Sequence, residues 1–173
     1  MFIFIALAAH EAAHLVAAVI LNIKFDKFKI TLFGFNFNAD LESIAFIKKI
    51  ILFSSGPACN TFLFLILRNS EYNEFANINL FLAIVNMIPI VPLDGGNICK
   101  SVLEIFLGLN AVCRYMIMTN TFFIILFLVI IHLYKNYLYF LLILMSLKGI
   151  LEENKTLIEK SIKKNFNLIK LKK

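Results

Sequence analysis

His10, Glu11 and His14 form the pattern H-E-x-x-H inside Met1–Leu21, a stretch that is otherwise wholly apolar. Residues four apart on an α-helix share a face and lie about 6 Å from each other. Both imidazoles therefore reach one metal ion, and Glu11 stands beside it to hold a water and take its proton. The chemistry this spacing suits is metal-assisted hydrolysis. Two of the chain's three histidines are spent on it. The setting is unusual. A helix of about 31 Å is long enough to cross the hydrocarbon core of a bilayer, and the motif falls near its middle. A chance match on a soluble surface helix would need a polar face, and there is none. A signal peptide would need a basic start and an earlier end to the apolar run. A metal-free packing pair gives no return for placing Glu and His in lipid, where a charged group costs about 2–3 kcal/mol.

A catalytic zinc commonly takes three protein ligands and leaves a fourth position for water. Asp94 is the best third ligand. It sits in Asn86–Asn97, where Pro89, Pro92, Gly95 and Gly96 cannot continue a regular helix and the flanks are apolar. Irregular backbone at that depth is tolerated when it is buried in protein or lines a wet cavity, and a carboxylate on it is a functional candidate. Glu42, Glu71, Glu74 and Glu104 lie in or near polar loops or helix ends and suit the role less well. In this arrangement Glu11 accepts the proton of the attacking water and passes it to the leaving amine. Asn60 or Asn86 is a candidate donor to the oxyanion or to the substrate backbone, against the alternative of an interhelical hydrogen bond.

The elements that must position these groups read as an all-α polytopic membrane protein. Of 173 residues, 61% are hydrophobic and 16% charged, where a soluble domain carries about 25% charge. About five transmembrane helices are expected, near Phe2–Leu21, Ile44–Leu67, Ile78–Ile88, Tyr115–Leu133 and Tyr137–Ile150, with the broken segment resuming as helix over Asn97–Leu107. Gly56-Pro57 should break or kink the second. Between the first two, Phe28–Asn38 alternates in part and predicts a short β-hairpin at the membrane surface. Residues 1–151 form the core and residues 152–173 a basic cytoplasmic tail. Lys148–Lys173 holds eight of the lysines against Glu152, Glu153 and Glu159, so most of the net charge of +6 is there. Its natural partner is an anionic lipid surface, not nucleic acid. Lys24, Lys27 and Lys29 fall on the same side as the tail, which places the N-terminus outside. Cys59, Cys99 and Cys113 form no C-x-x-C pair and read as packing residues or free thiols.

Three segments occur in order: His10-Glu11-x-x-His14, Ser55-Gly56-Pro57-x-x-Asn60, and Asn86-x-x-Pro89-x-x-Pro92-Leu93-Asp94-Gly95-Gly96. Together they resemble the site-2 protease family of intramembrane zinc metalloproteases, over about Met1–Glu153. Ile30–Gly34 and Tyr137–Glu153 are similar to the bacterial branch typified by stage IV sporulation protein FB. The resemblance implies Zn2+ held by His10, His14 and Asp94, with Glu11 as general acid/base. It also implies a membrane-tethered protein substrate such as a sigma-factor precursor; membrane-protein regulators are a further class of partner. Members of that branch often carry a helix before the motif helix and a nucleotide-sensing domain after the core; here nine residues precede His10 and the tail is about two dozen residues. Two other classes compete. A catalytically silent partner-binding protein on the same fold should have lost Glu11 or a ligand, and a metal transporter should show ligands along a path and repeated halves.

Overall fold

The structure is a computed structural model and describes residues 1–23, 27–31, 34–38 and 44–171, with the backbone alone for the two strands and for residues 164–171. In chain order the elements are α1 (Phe2–Ile20), β1 (Lys27–Thr31), β2 (Gly34–Asn38), α2 (Phe46–Leu67), α3 (Asn73–Asn86), α4 (Asp94–Phe106), α5 (Leu109–Tyr134) and α6 (Tyr139–Leu171). They divide into two units, Met1–Pro89 with Leu93–Ser101, and Ile90–Pro92 with Val102–Lys173.

In the first unit α1 packs on α2 and α3, and α2 on α3. The buried side of α1 is Ala6, His10, His14, Ala17 and Ala18, a helical stripe of small and polar residues. Phe4, Val16, Val19 and Ile20 point outward. This pattern suits a helix in lipid, where small residues let backbones approach and large apolar ones face the solvent. The end of α1 is set locally. Asn22 adopts φ 51°, Ile23 N–H donates to Ala18 O at 3.0 Å and Asn22 N–H to Val19 O at 3.1 Å. That is a Schellman stop, with asparagine in the left-handed position. Ile23 then packs with Ala17, Ala18 and Leu52. The Lys48 ammonium donates to Leu21 O at 2.7 Å, placing a cation at the negative end of the helix. The strands pair antiparallel, from Lys27 opposite Asn38 to Thr31 opposite Gly34.

In the second unit α5 packs along α6, with Phe127 stacked on Tyr139 at 6.0 Å between ring centres. The Ile90–Pro92 segment belongs here. Val91 N–H donates to Asn120 Oδ1 at 3.2 Å, and Asn120 Nδ2 donates to Val91 O at 3.1 Å and to Ser146 O at 3.3 Å. Ile90 is fully buried and Val91 nearly so. A Cβ at position 149 would collide with Val91 O and Asn120 Nδ2, so glycine is what lets α6 approach. Val91, in the broken segment, thus has both its backbone polar groups paired with protein, which suits irregular backbone in a membrane protein.

The element bounds differ from the sequence expectation in five places, each with a physical reason. Among the described residues three helices, α1, α2 and α5, have the length and composition to cross a membrane, not five. The 14 residues of α3 make about 21 Å, short of a bilayer core of about 30 Å. In α6 only Tyr139–Leu147 is free of charge, and the helix continues through the charged tail without a break, carrying Lys148–Glu152 and Lys155–Glu159 pairs one turn apart. α2 runs unbroken through Pro57, since one missing donor is a small loss in a 22-residue helix. α3 starts at Asn73, not near Ile78: Glu74 favours the first turn, and Asn77 Nδ2 donates to Asn73 Oδ1 at 3.2 Å. α4 starts at Asp94 itself, because Gly95 packs against the backbone of Met87 and Ile88, where no Cβ fits.

Candidate metal centre

The first unit assembles the candidate ligands from two elements. α1 presents His10 and His14 on its buried stripe, and Asp94 opens α4. The His10 and His14 Nε2 atoms lie 3.2 Å apart. Asp94 Oδ2 lies 3.1 Å from His10 Nε2 and 3.3 Å from His14 Nε2. The exposure of His10 is 3% and of His14 5%. These three side chains are the cluster of metal-ligating type found among the described residues.

Second contacts orient the set. His14 Nδ1–H donates to Leu52 O at 2.8 Å, and Ser55 Oγ donates to the same carbonyl at 2.7 Å. With its proton on Nδ1, His14 turns an Nε2 lone pair toward Asp94 and His10, the form a metal ligand needs. Gly56 lies against the rings. A Cβ there would run into His14 Nε2 and come within 2.6 Å of His10 Cε1 and 2.7 Å of His10 Nε2.

The triangle of donors can be tested against an ion. A tetrahedral ion bonded at about 2.0–2.1 Å separates its ligand atoms by about 3.3–3.4 Å. The observed edges of 3.1–3.3 Å fit closely. Asp94 Oδ2 is buried and accepts no hydrogen bond among the described residues. His14 Nε2 and Asp94 Oδ2 are both acceptors in a dry site, and such a pair repels unless a cation sits with them. The donor set, two imidazole nitrogens and a carboxylate oxygen with room for a fourth partner, is that of a catalytic zinc site.

Glu11 is half-buried, next to His10 on α1 and outside the donor triangle. Asn60 is fully buried on α2, one turn past Gly56. Asn86 ends α3, and its Nδ2 donates to Leu82 O at 3.0 Å, so one of its two N–H donors is taken by its own helix. Sequence reasoning missed two contributors: the Leu52 carbonyl and the close approach at Gly56. The i, i+4 run of Leu52, Gly56 and Asn60 is the signal that could have exposed them.

Comparison with known proteins finds three likenesses. Residues 69–130 match the family model described as Peptidase family M50. A protein of Synechocystis sp. named "Putative zinc metalloprotease" is 31% identical over 112 residues, covering 58% of this chain and 30% of that protein. The structure of the site-2 protease from Methanocaldococcus jannaschii superposes with a TM-score of 0.66 at 20% identity, covering 89% of this chain and 74% of that one. The likeness to the archaeal protein is one of fold. Over residues 69–130 the chain is thus similar to the M50 peptidases, and its fold is like that of a site-2 protease. It spans less than a third of the length of the Synechocystis relative.

Proposed function

We propose that this chain is an intramembrane zinc metalloprotease that hydrolyses a peptide bond in a membrane-tethered protein. The observation that carries the reading is the convergence of His10, His14 and Asp94 donor atoms within 3.3 Å on an apolar helix long enough to span a bilayer. His10 Nε2, His14 Nε2 and Asp94 Oδ2 would hold Zn2+. When bound, zinc polarises a carbonyl and lowers the pKa of water from 15.7 towards ~7. Glu11 then accepts the proton of the attacking water and delivers it to the leaving nitrogen. The Leu52 carbonyl keeps the His14 tautomer in place throughout. A silent partner-binding protein is the weaker reading, since all four of these residues are present.

The scissile bond must leave its helix first, because an intact helix hides its carbonyls in internal bonds. The β1–β2 hairpin would lie at the membrane surface and offer a strand edge for an unwound substrate. Its resemblance to the sporulation branch makes a sigma-factor precursor the substrate to try first. Residues 152–173 would rest on an anionic lipid surface, and other membrane proteins would regulate access.

The test is Asp94→Asn, which keeps size and removes charge. Zinc per mole of purified protein should fall, and cleavage of a tethered precursor should become unmeasurable. Full zinc with normal turnover would place the third ligand elsewhere. Orientation has its own test. Three spans, like five, would put N-terminus and tail on opposite sides, and the lysines support a cytoplasmic tail. A reporter enzyme fused to the tail should work only in the cytoplasm; activity only outside would reverse the topology.

A further inference from the structure

Asn60 is fully buried, and neither its Oδ1 nor its Nδ2 has a hydrogen-bond partner among the described residues. Buried amides are almost always paired, and leaving both ends open destabilises the fold. Other asparagines of the chain are better satisfied. Asn79, also fully buried, leaves its Oδ1 open but donates to Phe75 O at 2.8 Å, and Asn86 donates to Leu82 O at 3.0 Å. Asn120 uses both ends of its amide on a single residue, accepting from Val91 N–H and donating to Val91 O.

The position of Asn60 is as informative as its open valences. Helical side chains lie over the preceding turn, and for Asn60 that turn holds Gly56, whose missing Cβ is filled by the His10 and His14 rings. The amide therefore belongs to the same face of α2 as the metal ligands' contact. In an extended peptide the N–H and C=O of one residue point the same way, as in a hydrogen-bonded strand pair. A carboxamide matches that spacing, as Asn120 demonstrates on Val91.

We propose that Asn60 is a substrate-binding residue whose carboxamide pairs with the N–H and C=O of one residue of an extended peptide beside the His10–His14–Asp94 cluster. The proposal rests on the metalloprotease reading. It gives that reading a specific grip on unwound main chain, independent of substrate side chains, and assigns the role to Asn60, both of whose amide ends are open, over Asn86, which already spends one N–H on its own helix.

The experiment uses two probes on the full chain, zinc-loaded in detergent: acetohydroxamate, which offers a metal chelate and no peptide, and N-acetyl-dileucine hydroxamate, which adds a peptide backbone. Asn60→Leu replaces the amide with an apolar group of similar volume. It should bind acetohydroxamate like wild type and the peptide hydroxamate at least about tenfold more weakly, the loss of two hydrogen bonds. Its Tm should equal or exceed that of wild type, because an unpaired buried amide is gone. Asn60→Ala, which adds no bulk, should give the same affinity pattern if leucine disturbs the fold. Equal affinity of wild type and both variants for the peptide probe overturns the proposal. So does a lower Tm with loss of zinc in both variants, which would make Asn60 a structural residue. If acetohydroxamate fails to bind zinc-loaded wild type, the metal reading falls first, and the role of Asn60 with it.

Discussion

Glu11→Gln is expected to abolish turnover while leaving the metal in place. Glutamine is nearly isosteric, and His10, His14 and Asp94 form the donor triangle without any atom of Glu11. What the substitution removes is the proton acceptor. General acid–base groups contribute roughly 10²–10⁴-fold to rate, so cleavage should fall by at least that order. The protein should insert, keep its zinc and still associate with substrate, which makes the variant a trap for native targets. His10→Ala should differ by losing zinc as well. The checks are metal content, single-turnover cleavage and co-purification of tethered precursors. Cleavage at the wild-type rate would mean that the hydrolytic mechanism is wrong. Loss of metal from an intact fold would make Glu11 a ligand.

The second large effect is expected at Gly56. On helix propensity alone, Gly56→Ala should stabilise α2 by about 0.5–1 kcal/mol. The structure predicts the opposite at the site. The new methyl meets His14 Nε2 and both Cε1 and Nε2 of His10, ring atoms that cannot swing aside freely. His14 is tied to Leu52 O, so relief must come from displacing a ligand or parting α1 from α2. Overpacking of this kind costs about 1–3 kcal/mol, equivalent to roughly 5- to 150-fold in zinc affinity. Competition with a graded chelator measures it. Unchanged zinc affinity together with a raised Tm would show that the contact at Gly56 is not used.

The candidate ligands were legible because their signal is carried by side-chain type at fixed spacing. His10 and His14 announce a shared helix face, and Asp94 is a carboxylate stranded among prolines and glycines in an apolar run. The hairpin segment could also be read from its alternation. The contribution of Leu52 left no trace, because the group that holds His14 is a main-chain oxygen and any residue type supplies one. The start of α4 was misread for a related reason. Gly95 and Gly96 look like helix breakers in one dimension, while in the fold Gly95 is small because it lies on the Met87–Ile88 backbone. The span count erred where hydropathy and helix length part company, in α3, which is apolar but short, and in α6, which is long but charged beyond Leu147. Asn120 reads as one more polar residue in α5; its role appears only when Val91 is beside it.

The hydrogen bond from His14 to Leu52 has a consequence for how such a site varies. A carboxylate partner can be deleted by a single codon change; a peptide carbonyl is present whatever residue occupies position 52. Point substitution there alters the volume of a side chain that is 1% exposed, but it leaves the acceptor for the imidazole proton untouched. The orientation of His14 is thus shielded from ordinary genetic drift and exposed instead to phase. Inserting or deleting one residue in α2 before Leu52 would rotate the carbonyl by about 100° around the helix and carry it about 1.5 Å along the axis. Length, more than identity, is what this stretch of the gene must preserve.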